Sequence, residues 1–367
     1  MLALALLAVF GVAFGTTAAA LPAVIRLAHT RGWVQRPGGR RTHAQPTPNV
    51  GGIAIYLGFM AALAASLLLP LADARFTRSG YETLRLALLA AGGTLIFLVM
   101  WRDDVAELNW LPKLIAQVAA ALLAVGPFLW DQQLYPDAQG APTEARGIIL
   151  TAFNFPFVEQ VHLYNLSPWL AIVVTVFWFG WMTNTINWSD GMDGLAAGIS
   201  LIAALMLALH ALRLDPPQLS IAALPLALAG ACAGFLLFNF PPARIFMGCG
   251  AEFLGFMLGI CAIIGGAKLA TVLLVLGVPI LDTAWLIVSR AAAGRSPMRG
   301  ANDHLHYRLR ALGFSTRQIL YLYYGLSAAF GLIGISSISP QAKLAALTAL
   351  ALAGGTLILY AARRTAQ

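Results

Sequence analysis

The stretch from Asn184 to Gly198 reads NTINWSDGMDGLAAG and sets two carboxylates, Asp190 and Asp193, three residues apart beside Asn184 and Asn187. On a helix that spacing puts both on one face, and at a helix start they meet N-terminal amides that favour an anion or a phosphate. Carboxylates and a phosphate repel each other unless a cation lies between them. Magnesium suits that place, since it prefers oxygen ligands and usually binds through one or two carboxylates plus substrate phosphates. A plain helix cap accounts for Asp190 but not for Asn184, Asn187 and Asp193. A second pair, Asp103 and Asp104, is adjacent, so on a helix the two side chains diverge by about 100° and take different partners. Lys113 and Gln117 follow, four apart on one face, where the lysine can hold a phosphate or neutralise one of the aspartates. His304 and His306, in DHLHYR, are two apart, a spacing that separates them on a helix and joins them on an extended segment. With Arg299 and Arg308 around them, they read as phosphate and leaving-group contacts rather than zinc ligands. His43, in the Pro- and Gly-rich run from Arg36 to Gly52, is a further contact.

The elements that must position these groups lie in a bilayer. Of the 367 residues 59% are hydrophobic and only 10% charged, with repeated apolar runs of about 20 residues, the width of a membrane core. Eleven such runs occur, near 1–25, 51–71, 82–100, 112–130, 168–184, 191–212, 218–238, 251–267, 269–289, 315–335 and 341–361. An open sheet edge cannot face lipid, so the expected fold is an all-α polytopic membrane protein of about eleven transmembrane helices, a single transmembrane domain over 1–367. No basic residue precedes the first run, which reads as a retained span rather than a secretory signal. Arg26, Arg31, Arg36, Arg40 and Arg41 follow it, and by the positive-inside rule they belong in the cytoplasm. That places the N-terminus outside, the C-terminus with Arg363 and Arg364 inside, residues 131–167 as an extracytoplasmic loop with a hairpin or surface helix, and residues 290–315 as a cytoplasmic substrate loop. All the polar constellations then share one membrane face. Eight of the fifteen acidic residues (Asp103, Asp104, Glu107, Asp190, Asp193, Glu252, Asp282 and Asp303) lie there, where each needs a cation, a metal or a proton. The net charge of +8 sits in the loops and points to anionic membrane lipids or a phosphate-bearing substrate; no nucleic-acid motif accompanies it. Cys232, Cys249 and Cys261 form no disulfide or metal pattern.

These motifs carry a resemblance. RPGGRRTHAQPTPNVGGIAIYLGF, DDVAELNWLPKLIAQ, NTINWSDGMDGLAAG, FNFPPARIFMG and PILDTAWLIVSRAAAGRSPMRGANDHLHYRL stand in the order found in the polyprenyl-phosphate N-acetylhexosamine-1-phosphate transferases, the membrane family of the WecA and MraY proteins. The form at His304 and His306 resembles the hexosamine branch more than the muramoyl-pentapeptide branch. The resemblance implies a bacterial inner-membrane enzyme with its site on the cytoplasmic face. Undecaprenyl phosphate would attack the diphosphate of a UDP-N-acetylhexosamine, most simply UDP-GlcNAc, with Mg2+ or alternatively Mn2+. UMP would leave, and a lipid-linked sugar would start a cell-envelope glycan such as lipopolysaccharide or teichoic acid. Such chemistry is mainly electrostatic. It also implies Asp103 or Asp104 as base or metal-associated carboxylate, Asp190 and Asp193 as site carboxylates near nucleotide and metal, and Lys113, His304 and His306 as phosphate contacts. A homodimer is allowed.

The chain departs from the family at one telling place. The family's fourth motif, Phe-Met-Gly-Asp-x-Gly-Ser-x-x-Leu-Gly, carries a metal-ligating aspartate, whereas this chain reads FMGCGAEFLG, with Cys249 at that position and one residue fewer before Leu254. A thiol is a poor magnesium ligand. Glu252, in the first turn of the following helix, is the carboxylate able to replace it. Gln35 and Tyr307 are lesser departures, standing where an aspartate and a histidine are usual. Two expectations follow: an active transferase with an altered metal site, retaining Asp103, Asp104, Lys113, Asp190, Asp193, His304 and His306, or a catalytically impaired relative that binds UDP-sugar or lipid phosphate as a scaffold.

Overall fold

The computed structural model describes residues 2–36, 45–136, 142–153, 161–264, 269–294, 304–336 and 339–365. The helices are α1 (Leu2–Arg31), α2 (Gly52–Ser66), α3 (Leu69–Ala72), α4 (Gly80–Ala106), α5 (Trp110–Val125), α6 (Leu163–Leu166), α7 (Pro168–Ser189) and α8 (Leu195–Leu212). After them come α9 (Leu219–Asn239), α10 (Gly250–Ile264), α11 (Leu269–Val275), α12 (Gly277–Ala292), α13 (Leu305–Ala311), α14 (Thr316–Ile335) and α15 (Pro340–Thr365). Among the described residues strands are confined to three antiparallel pairs: β1 (Val34–Gln35) with β2 (Thr47–Pro48), β3 (Leu134–Pro136) with β4 (Pro142–Ala145), and β5 (Ala152–Phe153) with β6 (Val161–His162). The segment expected as a loop over 131–167 therefore holds, among its described residues, two strand pairs and the single turn of α6.

Among the described residues nine helices are long and apolar enough to cross a membrane, ten if α11 and α12 count as one span. The described part of each of the eleven expected runs is mainly helical, and one departs from a straight crossing. α11 and α12 meet at an 81° bend. Pro279, in the first turn of α12, lacks the N–H that would continue the ladder to the Val275 carbonyl. α10 is described over fifteen residues, up to Ile264, and the loop before it carries Pro241, Pro242 and Gly248.

α10 is nonetheless the middle of the molecule. Every one of its residues is buried, as expected of a helix apolar all round. Lipid supplies no hydrophobic drive between helices, so close packing and polar contacts hold them. The Trp178 indole of α7 donates to the Gly259 carbonyl of α10 at 3.1 Å, and Phe253 packs edge-on against Tyr56 and Phe59 of α2. Around this centre α1 packs on α2 and α9, α8 on α9, α4 on α5, and α11 on α14. The start of α4 is fixed by a capping box in which the Ser79 hydroxyl accepts from Glu82 N–H and the Glu82 carboxylate from Ser79 N–H. The consequence for the site is that α4, α7 and α9 end, and α8 and α10 begin, at the same end of the molecule.

Candidate active site

Two loops are sewn together at that end. Phe246 N–H donates to the Pro48 carbonyl, while Gly51 and Gly52 N–H donate to Phe246 and Met247. The segment after β2 thus runs beside the loop that enters α10. Asp104, near the end of α4, closes the arrangement: one carboxylate oxygen accepts from Asn49 Nδ2 at 3.2 Å and the other from Cys249 N–H at 2.6 Å. Gly248 sits at φ +56°, and a Cβ there would collide with the Asp104 carboxylate, so only glycine serves. Asp103 points elsewhere. Its carboxylate accepts from Leu108 N–H at 2.6 Å and pairs with Lys113 Nζ at 3.0 Å. The two adjacent aspartates diverge, and the lysine neutralises Asp103. Gln117, one turn beyond on α5, accepts from Asn184 Nδ2 at 2.8 Å, so Asn184 fastens α7 to α5.

The aspartates of the Asn184–Gly198 stretch are arranged otherwise than as a helical pair. α8 begins at Leu195, with Gly194 as its N-cap at φ +77°, and Asp190 is the C-cap of α7. Both aspartates therefore lie in the turn between helices rather than on one helical face, because two glycines within five residues stop the helix there. Asp193 accepts from Ala243 N–H at 3.0 Å. The amide of Gly194 goes to the Asn239 side chain, which also donates to the Ile245 carbonyl, both at 2.9 Å. Asn239, given no role by the sequence reading, is the clamp between this turn and the 240–249 loop. Burial of its carboxyl holds Asp190 well above the usual carboxylate range, and Glu252, Asp104 and Asp193 add to the effect. Glu252 itself is buried in the first turn of α10. The Asn187 carbonyl accepts from Asp190 N–H.

Cys249 is buried, and its thiol is held well above its ordinary pKa, first by burial and then by Asp104 and Glu252. It faces the carboxylates as a neutral thiol. All three cysteines are free and buried.

The histidines arrive on α13. His304 is its N-cap, with φ −64° and ψ 152°. This extended residue swings the His304 ring beside His306, centroids 5.4 Å apart and planes at 13°. Its Nδ1 lies 2.9 Å from Asp282 Oδ2, while Leu305 N–H donates to Asp282 Oδ1 at 2.9 Å. Asp282, expected from the sequence only to need a cation, a metal or a proton, is not among the predicted site residues, although an acid within an apolar helix is itself a signal. The His306 ring is buried, its Nε2 has no hydrogen-bond partner among the described residues, and it abuts Gly191, where a Cβ would collide with it. Burial, with His304 adding, pushes His306 down to about 3, so this ring is neutral. His43 and Arg299 lie outside the described residues.

The chemistry of the donor set suits a divalent cation. Asp104, Asp190, Asp193 and Glu252 supply hard oxygen, and their mutual repulsion, legible at Asp190, is what such an ion relieves. Among the described residues no three His, Cys, Asp or Glu side chains are already gathered as a metal-binding group. Asp103 and Asp104 are instead engaged by Lys113, Asn49 and the Leu108 and Cys249 amides.

Fold and site together define a polytopic helical membrane protein with carboxylates converging at one end of its bundle. The chain belongs to glycosyl transferase family 4, whose model matches residues 86–266. A probable undecaprenyl-phosphate N-acetylglucosaminyl 1-phosphate transferase of Bacillus subtilis (strain 168) is 30% identical over 321 residues, 86% of this chain and 80% of the relative. A decaprenyl-phosphate N-acetylglucosaminephosphotransferase of Mycolicibacterium smegmatis is 35% identical over 328 residues, 81% of this chain and 74% of the relative. A phospho-N-acetylmuramoyl-pentapeptide-transferase of Desulforudis audaxviator is 32% identical, the match spanning 89% of this chain and 96% of the relative.

Proposed function

We propose that this protein transfers N-acetylglucosamine 1-phosphate from UDP-GlcNAc to undecaprenyl phosphate, releasing UMP and starting a lipid-linked cell-envelope glycan. An oxygen of the lipid phosphate attacks the sugar-bearing phosphorus, a new P–O bond forms, and the bridging P–O bond breaks with its electron pair leaving on UMP. The names of the relatives support the reaction class. The observation that carries the reading is the convergence of Asp104, Asp190, Asp193 and Glu252 from three separate segments. These four, with Asp103 at the margin, would hold Mg2+ or Mn2+; when bound, that ion neutralises phosphoryl charge and orients the diphosphate. Lys113, poised by Asp103, offers its ammonium to a phosphate. His304, His306, Arg299 and His43 contact phosphate or leaving group, and Asn184 and Asn187 shape the turn that carries Asp190. The arginine-rich loops support a site on the cytoplasmic face of a bacterial inner membrane, with the N-terminus outside and anionic lipids as neighbours.

Glu252 takes the place of the carboxylate that Cys249 lacks. Cys249, neutral and buried, is also the one observation favouring a second reading, a relative that binds UDP-sugar or lipid phosphate without turnover. The test is UMP release from UDP-GlcNAc and undecaprenyl phosphate under Mg2+ or Mn2+, with Mn2+ binding followed by electron paramagnetic resonance. Glu252→Gln is expected to lower kcat on the order of 10²-fold or more, as loss of one charge-stabilising group does, and to weaken Mn2+ binding. Cys249→Asp leaves activity in place or raises it. An inert native chain that binds UDP-GlcNAc, and turns over only as Cys249→Asp, would establish the second reading.

A further inference from the structure

Asp282 lies on α12, beyond the bend, and has two bonds that meet at the start of α13. One carboxylate oxygen accepts the Leu305 amide and the other faces His304 Nδ1, each at 2.9 Å. Asp282 and His304 are 5% and 9% exposed, so solvent does little to loosen or screen the contact. The His304 ring is held on its other sides by Trp188, edge-on at 6.1 Å, and by the His306 ring. Among the described residues the Tyr323 hydroxyl of α14 is buried without a hydrogen-bond partner.

An ionised carboxylate only accepts, so the nitrogen facing it carries the proton. That leaves Nε2 as the nitrogen of His304 able to meet a ligand. We infer that Asp282 is a positioning residue: it fixes the orientation and the Nδ1–H tautomer of His304, so that Nε2 is presented to a phosphate oxygen of the substrate. This rests on the transferase reading for its substrate, though not for the pairing itself. His306 has no equivalent carboxylate partner among its described contacts, which divides the labour between the two rings. The bond to Leu305 N–H ties this orientation to the start of α13, so the helix start and the ring are set by one side chain.

The isosteric change Asp282→Asn separates tautomer from cap. Its amide oxygen can still accept from Leu305, but its NH2 then faces Nδ1 and forces the proton of His304 onto Nε2. The experiment is two-bond 1H–15N correlation on the full chain labelled with 15N-histidine, the His304 signals being those lost in His304→Gln. It runs beside steady-state UMP release from UDP-GlcNAc. The native chain is expected to show His304 protonated at Nδ1, and Asp282→Asn to show it protonated at Nε2. In parallel kcat falls on the order of 10²-fold, the scale of a mispositioned acid–base group, with KM for UDP-GlcNAc changed by less than about threefold. Asp282→Glu recovers part of the loss. In the His304→Gln background, Asp282→Asn costs less than about threefold more, because the two act as one unit.

An unchanged His304 signal in a folded Asp282→Asn, or a kcat within about threefold of native, overturns the inference. If Asp282→Asn does not fold, the native spectrum decides: His304 protonated at Nε2 alone overturns the pairing, and Nδ1–H upholds it. Absence of UMP release by the native chain would sink the transferase reading, while the spectra still decide the pairing.

Discussion

A neutral His306 limits how much positive charge this site can offer a phosphate, and the limit is set by burial rather than by residue type. Its folded pKa of about 3 lies below the ordinary histidine value of about 6.5. A group depressed in this way contributes stability that is present above its unfolded pKa and lost as pH falls. The unfolded chain takes up a proton that the folded chain refuses. Thermal unfolding in detergent should therefore show stability declining from about pH 6.5 downward toward the folded value, and His306→Gln should flatten that decline. An equal decline in the variant would mean that other groups carry it. The aspartates make the same point about partners: Asp103 and Asp104 are neighbours in sequence, yet one faces an ammonium and the other two donors that carry no charge.

At the scale of elements, the site depends on clamps between loops. Asn239 satisfies Gly194 N–H and the Ile245 carbonyl, and Asp193 satisfies Ala243, so the turn after α7 and the loop before α10 move together. Asn239→Ala leaves two buried backbone groups unpaired and should cost about 2 kcal/mol of stability, with UMP release falling further as Asp190 and Glu252 lose register. Ser79→Ala removes the cap of α4 at the opposite end of that helix. It should cost about 1 kcal/mol and leave turnover as it was. Denaturation midpoints and kcat measured on both variants check the pair: equal losses of activity would mean that stability alone, and not the clamp, governs the site.

For the whole molecule, the prediction is orientation. The three native cysteines are buried, so single cysteines added at exposed positions report sidedness against a quiet background. In intact cells a membrane-impermeant thiol reagent should label Gln133→Cys, beside the β3–β4 pair, and should reach Ala311→Cys, at the end of α13, only after permeabilisation. The reverse pattern would invert the topology.

Apolar runs of bilayer width, arginines beside them and the order of five motifs were enough for the sequence to determine a helical membrane protein, its family resemblance and which acids to watch. Those signals are local, each readable within about 20 residues. The turn at Asp190 and Asp193 was misjudged as a helical face because spacing alone does not register where Gly191 and Gly194 interrupt the helix. The bend between α11 and α12 escaped for a similar reason, since hydropathy counts apolar residues and not the direction of the axis. Only the tertiary structure decided which partner each carboxylate takes: Lys113 for Asp103, Asn49 and Cys249 for Asp104, Ala243 for Asp193, His304 for Asp282. Such pairings join residues from 10 to 145 positions apart, and they exist because helix packing brings loop ends together at one end of the bundle, a long-range outcome that no local pattern encodes.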